Sequence, residues 1–155
     1  MKITIHLPVT PYIKKFLTVR LGKEYHLSLD DWFGSIIINM LENKTNKNYS
    51  ISESKKEKKT EHFCFTASLS LSSKSGFFIE ERHEHLINKI MDSLFREDLY
   101  INAIINKREY DIDYNTSINN ILDAYDITEE DLSVDALKRD LNRKREKFES
   151  MLFLS

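Results

Sequence analysis

One long helical repeat of apolar residues constrains the fold of this 155-residue chain more than any other feature. Between Arg82 and Arg108, apolar side chains recur at the three- and four-residue spacing of an amphipathic helix. The whole sequence has only 3 glycines and 2 prolines, which disfavours a loop-rich β-sandwich and favours helices. The repeat consists of Leu86, Ile87, Ile90, Met91, Leu94, Phe95, Leu99, Ile104 and Ile105. The chain is therefore predicted to be mostly helical.

Two segments alternate polar and apolar residues in the way that strands do. KITIHL, at Lys2–Leu7, places its aliphatic side chains on one face, and Pro8 is predicted to end it. HFCFTASLSL, at His62–Leu71, alternates throughout and is the better strand candidate, with Phe77–Ile79 as a brief return strand. We predict an α+β fold, mostly helical, with a small antiparallel sheet and a basic C-terminal helix.

Two helices are predicted between these strands. Thr10 is expected to cap the first, with Pro11 at the first helical position and Gly22 ending the helix. The second is expected to begin after Ser28, with Asp31 at its third helical position.

Composition divides the chain into four segments. These are a strand-helix-helix segment (1–42), a polar Lys-rich linker (43–61), a strand plus a long helix (62–114) and a helical C-terminal segment (115–155). The linker has too little apolar surface to offset the entropy lost on ordering. Lys44–Lys59 is therefore predicted to be flexible and sensitive to protease.

The single cysteine, Cys64, excludes an internal disulfide framework and fits a reducing compartment. The first ten residues are too short and too polar for a signal peptide, and no apolar run approaches membrane-spanning length. The expectation is a cytoplasmic protein with no membrane partner.

Charge is segregated towards the C-terminus. Glu109–Asp135 has nine acidic residues and no Lys or Arg, whereas Ala136–Phe148 has six Lys or Arg and two acids. Because the net charge of the chain is only -2, contact with nucleic acid would require a local basic patch of this kind.

The same region resembles a helix-turn-helix DNA-binding module. TSINNILDAYDITEED (residues 116–131) reads as a short helix, a break at Asp126 and Ile127, and a capping box formed by Thr128 and Asp131. A basic helix from about Ser133 follows. The resemblance implies that its outward side chains contact DNA, namely Lys138, Arg139, Asn142, Arg143 and Arg145. The alternative is a solvated terminal helix whose charge order matches the helix dipole.

The first 42 residues resemble the ribbon-helix-helix repressors. KITIHLP, PYIKKFLTVRLG and SLDDWFGSIIINMLE correspond to the strand and the two helices of that family. The resemblance implies that the strands of two chains pair, and that Lys2, Thr4 and His6 read the major groove. The rival interpretation is an ordinary edge strand that pairs with His62–Leu71.

Metal binding and catalysis are not expected. His62-x-Cys64 and His83-x-His85 lack the thiolates and spacing of structural zinc sites. Cys64 lies mid-strand without a basic neighbour in sequence, and no Gly-rich phosphate loop is present. No cofactor is predicted.

These observations favour a non-catalytic DNA-binding regulator or accessory protein that forms a homo-oligomer, namely a dimer. The alternative is an assembly module in which the acidic segment of one subunit meets the basic helix of another.

Overall fold

The structure is a computed structural model that describes residues 1–42, 59–68 and 79–153. The predicted α+β class, mostly helical with a small antiparallel sheet, is confirmed. The linker prediction for Lys44–Lys59, the end of the second strand and most of the return strand lie outside these ranges. The elements, in chain order, are β1 (Lys2–Val9), α1 (Pro11–Leu21), α2 (Trp32–Glu42), β2 (Glu61–Ser68), α3 (Glu81–Tyr110), α4 (Tyr114–Ala124) and α5 (Val134–Phe153).

The chain clusters into two compact units, Met1–Ile90 and Met91–Ser155, called here the first and second units. Their boundary lies inside the continuous 30-residue helix α3. The segments drawn from composition instead ended at residues 42, 61 and 114. An amphipathic repeat gives no sign that its two halves pack against different partners.

The sheet of the first unit is formed within the chain. β1 pairs with β2 in antiparallel register, from Lys2 opposite Ser68 to Val9 opposite Glu61. This is the pairing predicted by the edge-strand interpretation. On its other side, β2 is bridged by residues 25–27, where the Thr66 N–H donates to the Tyr25 carbonyl and the Leu27 N–H donates to the Thr66 carbonyl.

The sequence predicts that Pro8 ends β1, but the strand continues through Pro8 to Val9. The reason is the side-chain amide of Asn88, which is buried on α3. It donates to the Pro8 carbonyl at 2.9 Å and accepts from the Thr10 N–H at 3.1 Å. This edge of β1 therefore faces away from β2, and the missing N–H of Pro8 removes no bond from the ladder.

The start of α2 also differs from the prediction. Asp31, rather than Ser28, caps the helix, because its Oδ1 accepts from the Gly34 N–H at 2.7 Å. The Tyr25 hydroxyl donates to the same carboxylate, and burial, followed by this bond, raises the pKa of Tyr25. Ser28 instead makes a turn that approaches the helix so closely that a Cβ on Gly34 would lie 1.7 Å from the Ser28 carbonyl oxygen.

Aromatic rings fill the core between α2 and the sheet. Phe33 makes edge-to-face contacts with Phe63 and Phe65 at centroid distances of 5.8 Å, and with Tyr25 at 5.5 Å. The inward faces of both strands supply the remaining wall, since Leu7 and Val9 are fully buried. Burial of such side chains contributes about 1.5–3 kcal/mol each to folding.

In the second unit, α4 begins and ends with recognisable capping structures. Asp113 caps its start by accepting from the Thr116 N–H at 2.6 Å. At its end, Asp126 adopts the left-handed conformation with φ 58°, and the Ile127 N–H reaches back to the Leu122 carbonyl at 2.9 Å. Together with the bond from the Asp126 N–H to the Asp123 carbonyl, this forms a Schellman motif. Ile127 is buried, as is usual for the residue that follows the left-handed position.

The capping box predicted at Thr128 and Asp131 does not start α5. The Asp131 carboxylate does accept from the Thr128 N–H at 2.9 Å, but these residues close an isolated turn. α5 begins at Val134, close to the predicted start at about Ser133, and the Ser133 hydroxyl accepts from the Ala136 N–H. The connection between α4 and α5 thus covers residues 125–133, longer than the three- or four-residue turn of a helix-turn-helix.

Within the described residues, none of the helices is both long enough and apolar enough to span a bilayer.

Candidate nucleic-acid interface

The basic helix predicted from the sequence is α5, and its buried side is apolar. Leu137, Leu141 and Phe148 recur at helical spacing and are buried against the rest of the second unit. The five residues predicted to contact DNA are all exposed: Lys138, Arg139, Asn142, Arg143 and Arg145. Because the inward side is already packed, this outward side, called here the α5 basic face, is available for contacts.

Within the described residues, some basic side chains of the α5 basic face contact acidic side chains, and others do not. The whole helix carries six Lys or Arg and four Asp or Glu. Arg145 lies 3.8 Å from Glu149, and Arg143 donates to Asp140 at 2.7 Å. In contrast, the Arg139 guanidinium contacts the Asp135 backbone carbonyl at 3.4 Å. Its charge is therefore not neutralised by that contact.

Asp140 is the buried centre of the polar contacts of α5. Its Oδ2 accepts from the Tyr100 hydroxyl at 2.6 Å and from Lys144 at 3.2 Å, and Arg96 of α3 lies 3.6 Å away. Burial by itself would raise the pKa of Asp140, but the Tyr100 hydrogen bond and the Lys144 ammonium outweigh burial and lower it.

Two partners of Asp140, Tyr100 and Arg96, lie on α3. Burial, followed by the hydrogen bond to Asp140, raises the pKa of Tyr100, which keeps its hydroxyl a donor. For Arg96, burial disfavours the charged form, but the bond to Asp92 at 2.8 Å reverses this and raises its pKa. The network fixes the rotation of α5 about its axis and hence which side chains face outward.

Sequence reasoning missed this network. The available signal was Asp140 itself, an acid beside Leu141 on the inward side of a helix, where a charge requires partners. Asp92, Arg96 and Tyr100 also recur every four residues on α3. Which of them meets Asp140 depends on tertiary packing, which the sequence pattern does not reveal.

The other predicted contact residues lie in the first unit. Lys2, Thr4 and His6 are exposed on the outward face of β1, as the alternation predicted, opposite Ser68, Thr66 and Cys64. They and the α5 basic face therefore belong to different compact units. His6 is engaged by Cys64, since its Nδ1 lies 3.0 Å from the Sγ atom.

Metal ligands do not cluster in the parts of the chain that the structure describes: no three His, Cys, Asp or Glu side chains are placed so that they could hold an ion. His62 and Cys64 share a sheet face, but that face does not gather a ligand set.

Comparisons with protein-family models, curated proteins and solved structures gave no match to the chain.

Proposed function

We propose that this chain is a non-catalytic DNA-binding regulator or accessory protein of the cytoplasm that acts as a homodimer and contacts DNA through the α5 basic face. The observation that carries the proposal is the exposure of five Lys, Arg and Asn side chains on one helix whose opposite side is buried. Helices with one side anchored and a basic side exposed are suited to the DNA backbone and major groove.

The side chains of this face have different parts in the proposed mechanism. Lys138 and Arg145 lie on one flank of α5 and suit phosphate contacts, which set orientation without reading sequence. Arg139 and Asn142 are exposed, and their donors and acceptors match guanine and adenine edges. Arg143 is a weaker candidate because Asp140 holds its guanidinium.

The test is the salt dependence of binding to a short DNA duplex, measured by fluorescence anisotropy. Lys138→Ala/Arg139→Ala should flatten the slope of log affinity against log salt by about one unit, because it removes one proposed phosphate contact, that of Lys138, and each such contact contributes about 0.9. The matched control is Lys23→Ala/Lys89→Ala, which removes two exposed positive charges from the first unit. Equal losses in both double variants would rule out a specific contribution of α5.

An assembly module is the second candidate. The observation that favours it is the exposure of the acids Asp123, Asp126, Glu129 and Glu130 in the same unit as the basic face. An acidic edge and a basic face on one chain can pair head to tail between copies. Sedimentation of the same variants separates the two functions. A salt-sensitive oligomer that dissociates in Lys138→Ala/Arg139→Ala, without DNA affinity in the wild type, supports assembly and excludes the DNA proposal.

A further inference from the structure

The outward face of the sheet brings a nucleophile and a base into contact. The only cysteine of the chain, Cys64, is exposed on β2, and the His6 Nδ1 atom of β1 lies 3.0 Å from its Sγ atom. The two residues are 58 positions apart, so the strand register alone creates the pair. A thiol and an imidazole within hydrogen-bonding reach are the arrangement by which proteins activate cysteine as a nucleophile.

The register keeps these two side chains together. The backbone groups of Thr66 bond to residues 25–27, so Thr66 and Thr4 form a non-hydrogen-bonded pair of the antiparallel ladder. His6 and Cys64 lie two residues further along, so their pair is of the same type. Side chains approach most closely at such pairs, with Cα atoms about 4.5 Å apart.

We propose that Cys64 and His6 form a thiol-modification site that reacts with small-molecule disulfides. His6 accepts the thiol proton as the Cys64 sulfur attacks one sulfur of the disulfide. A new S–S bond forms to Cys64, the original S–S bond breaks, and the leaving thiolate takes up the proton. The disulfide is the oxidant, and it is consumed stoichiometrically.

The remainder of the chain determines the product. Because no second cysteine exists in the sequence, no intramolecular disulfide can resolve the adduct, and the mixed disulfide persists until an external thiol reduces it. Exposure of Cys64 lets both the disulfide and the reducing thiol reach the sulfur. Reversible adducts of this kind are the form in which cytosolic proteins commonly carry disulfides.

The test measures the rate at which oxidised glutathione adds to Cys64, followed by intact-protein mass spectrometry near neutral pH. His6→Ala should slow the reaction about tenfold or more, since a positioned general base contributes about 10²–10⁴. His62→Ala is the control, because His62 lies on the same sheet face two residues from Cys64, and it should stay within about twofold of the wild type. In urea all three proteins should react at one common rate, because unfolding separates the strands.

A second variant, His6→Asn, distinguishes a base from a hydrogen-bond partner. The Asn amide can still bond to the thiol but cannot take its proton, so this variant should be as slow as His6→Ala. A wild-type rate in either folded His6 variant, shown to be folded by circular dichroism, would overturn the proposal. So would equal rates for the folded and unfolded wild type.

Discussion

The Tyr100 hydroxyl donates a 2.6 Å hydrogen bond to Oδ2 of Asp140, forty residues further along the chain. Tyr100 is fully buried, and the side chain of Asp140 is only 9% exposed. Removing only the hydroxyl, with Tyr100→Phe, should lower the free energy of unfolding by about 1.5–3 kcal/mol, the usual contribution of a buried hydrogen bond to a charged group. Urea unfolding measures this. The control is Tyr110→Phe at a 71% exposed residue, which should change stability by less than about 0.5 kcal/mol. Equal effects would show that the bond does not stabilise the fold.

The same carboxylate predicts a dependence of stability on pH. Because the pKa of Asp140 is lowered in the folded state, its contribution is present above the unfolded value of about 3.9 and is lost as the pH falls through the folded pKa. The difference in unfolding free energy between the wild type and Asp140→Asn should therefore shrink between about pH 6 and about pH 2.5. A difference that stays constant over this range would contradict the assignment.

Gly34 is predicted to be the least replaceable residue of α2. A methyl group at this position would lie 1.7 Å from the Ser28 carbonyl oxygen, which is backbone and cannot rotate away. We expect Gly34→Ala to destabilise the protein by about 1–3 kcal/mol or more, despite the higher helix propensity of alanine. Asn39→Ala, at an exposed position of the same helix, should be within about 0.5 kcal/mol of the wild type. A stabilising Gly34→Ala would contradict the close approach of the Ser28 carbonyl oxygen to this position.

Asp126 offers a stabilising substitution. Its φ of 58° is one that glycine adopts without steric cost, so Asp126→Gly should raise stability by about 0.5–1 kcal/mol. The matched control is Asp123→Gly, which loses the same charge from a helical position and should destabilise by up to about 1 kcal/mol. Thermal unfolding of both variants would show opposite shifts, and shifts of the same sign would refute the interpretation.

The elements that the sequence predicted well are those whose pattern is local. The helical repeat from Arg82 to Arg108 corresponds to α3, and the alternation at Lys2–Leu7 corresponds to most of β1. Their periodicity depends only on which side chains face a core. The exposure of the α5 basic face was predictable for the same reason.

The predictions that were wrong concern local signals overridden by distant partners. Pro8 would end an isolated strand, but its carbonyl accepts a hydrogen bond from Asn88, which is 80 residues away. Thr128 and Asp131 satisfy a capping pattern, but the chain turns again before α5 begins. Cys64 has no adjacent basic residue in the sequence, and His6 reaches it only through the register of two strands.

The side chain of Asn88 also has a consequence for association between molecules. Exposed strand edges recruit strands from other chains and are a common origin of aggregation. At Pro8 and Thr10 the outer edge of β1 is already occupied, since one amide group fills both the donor and the acceptor position that an incoming strand would use. Proline adds a second barrier, because it offers no N–H to such a strand. This end of the sheet is thereby closed to strand addition by a single side chain of α3.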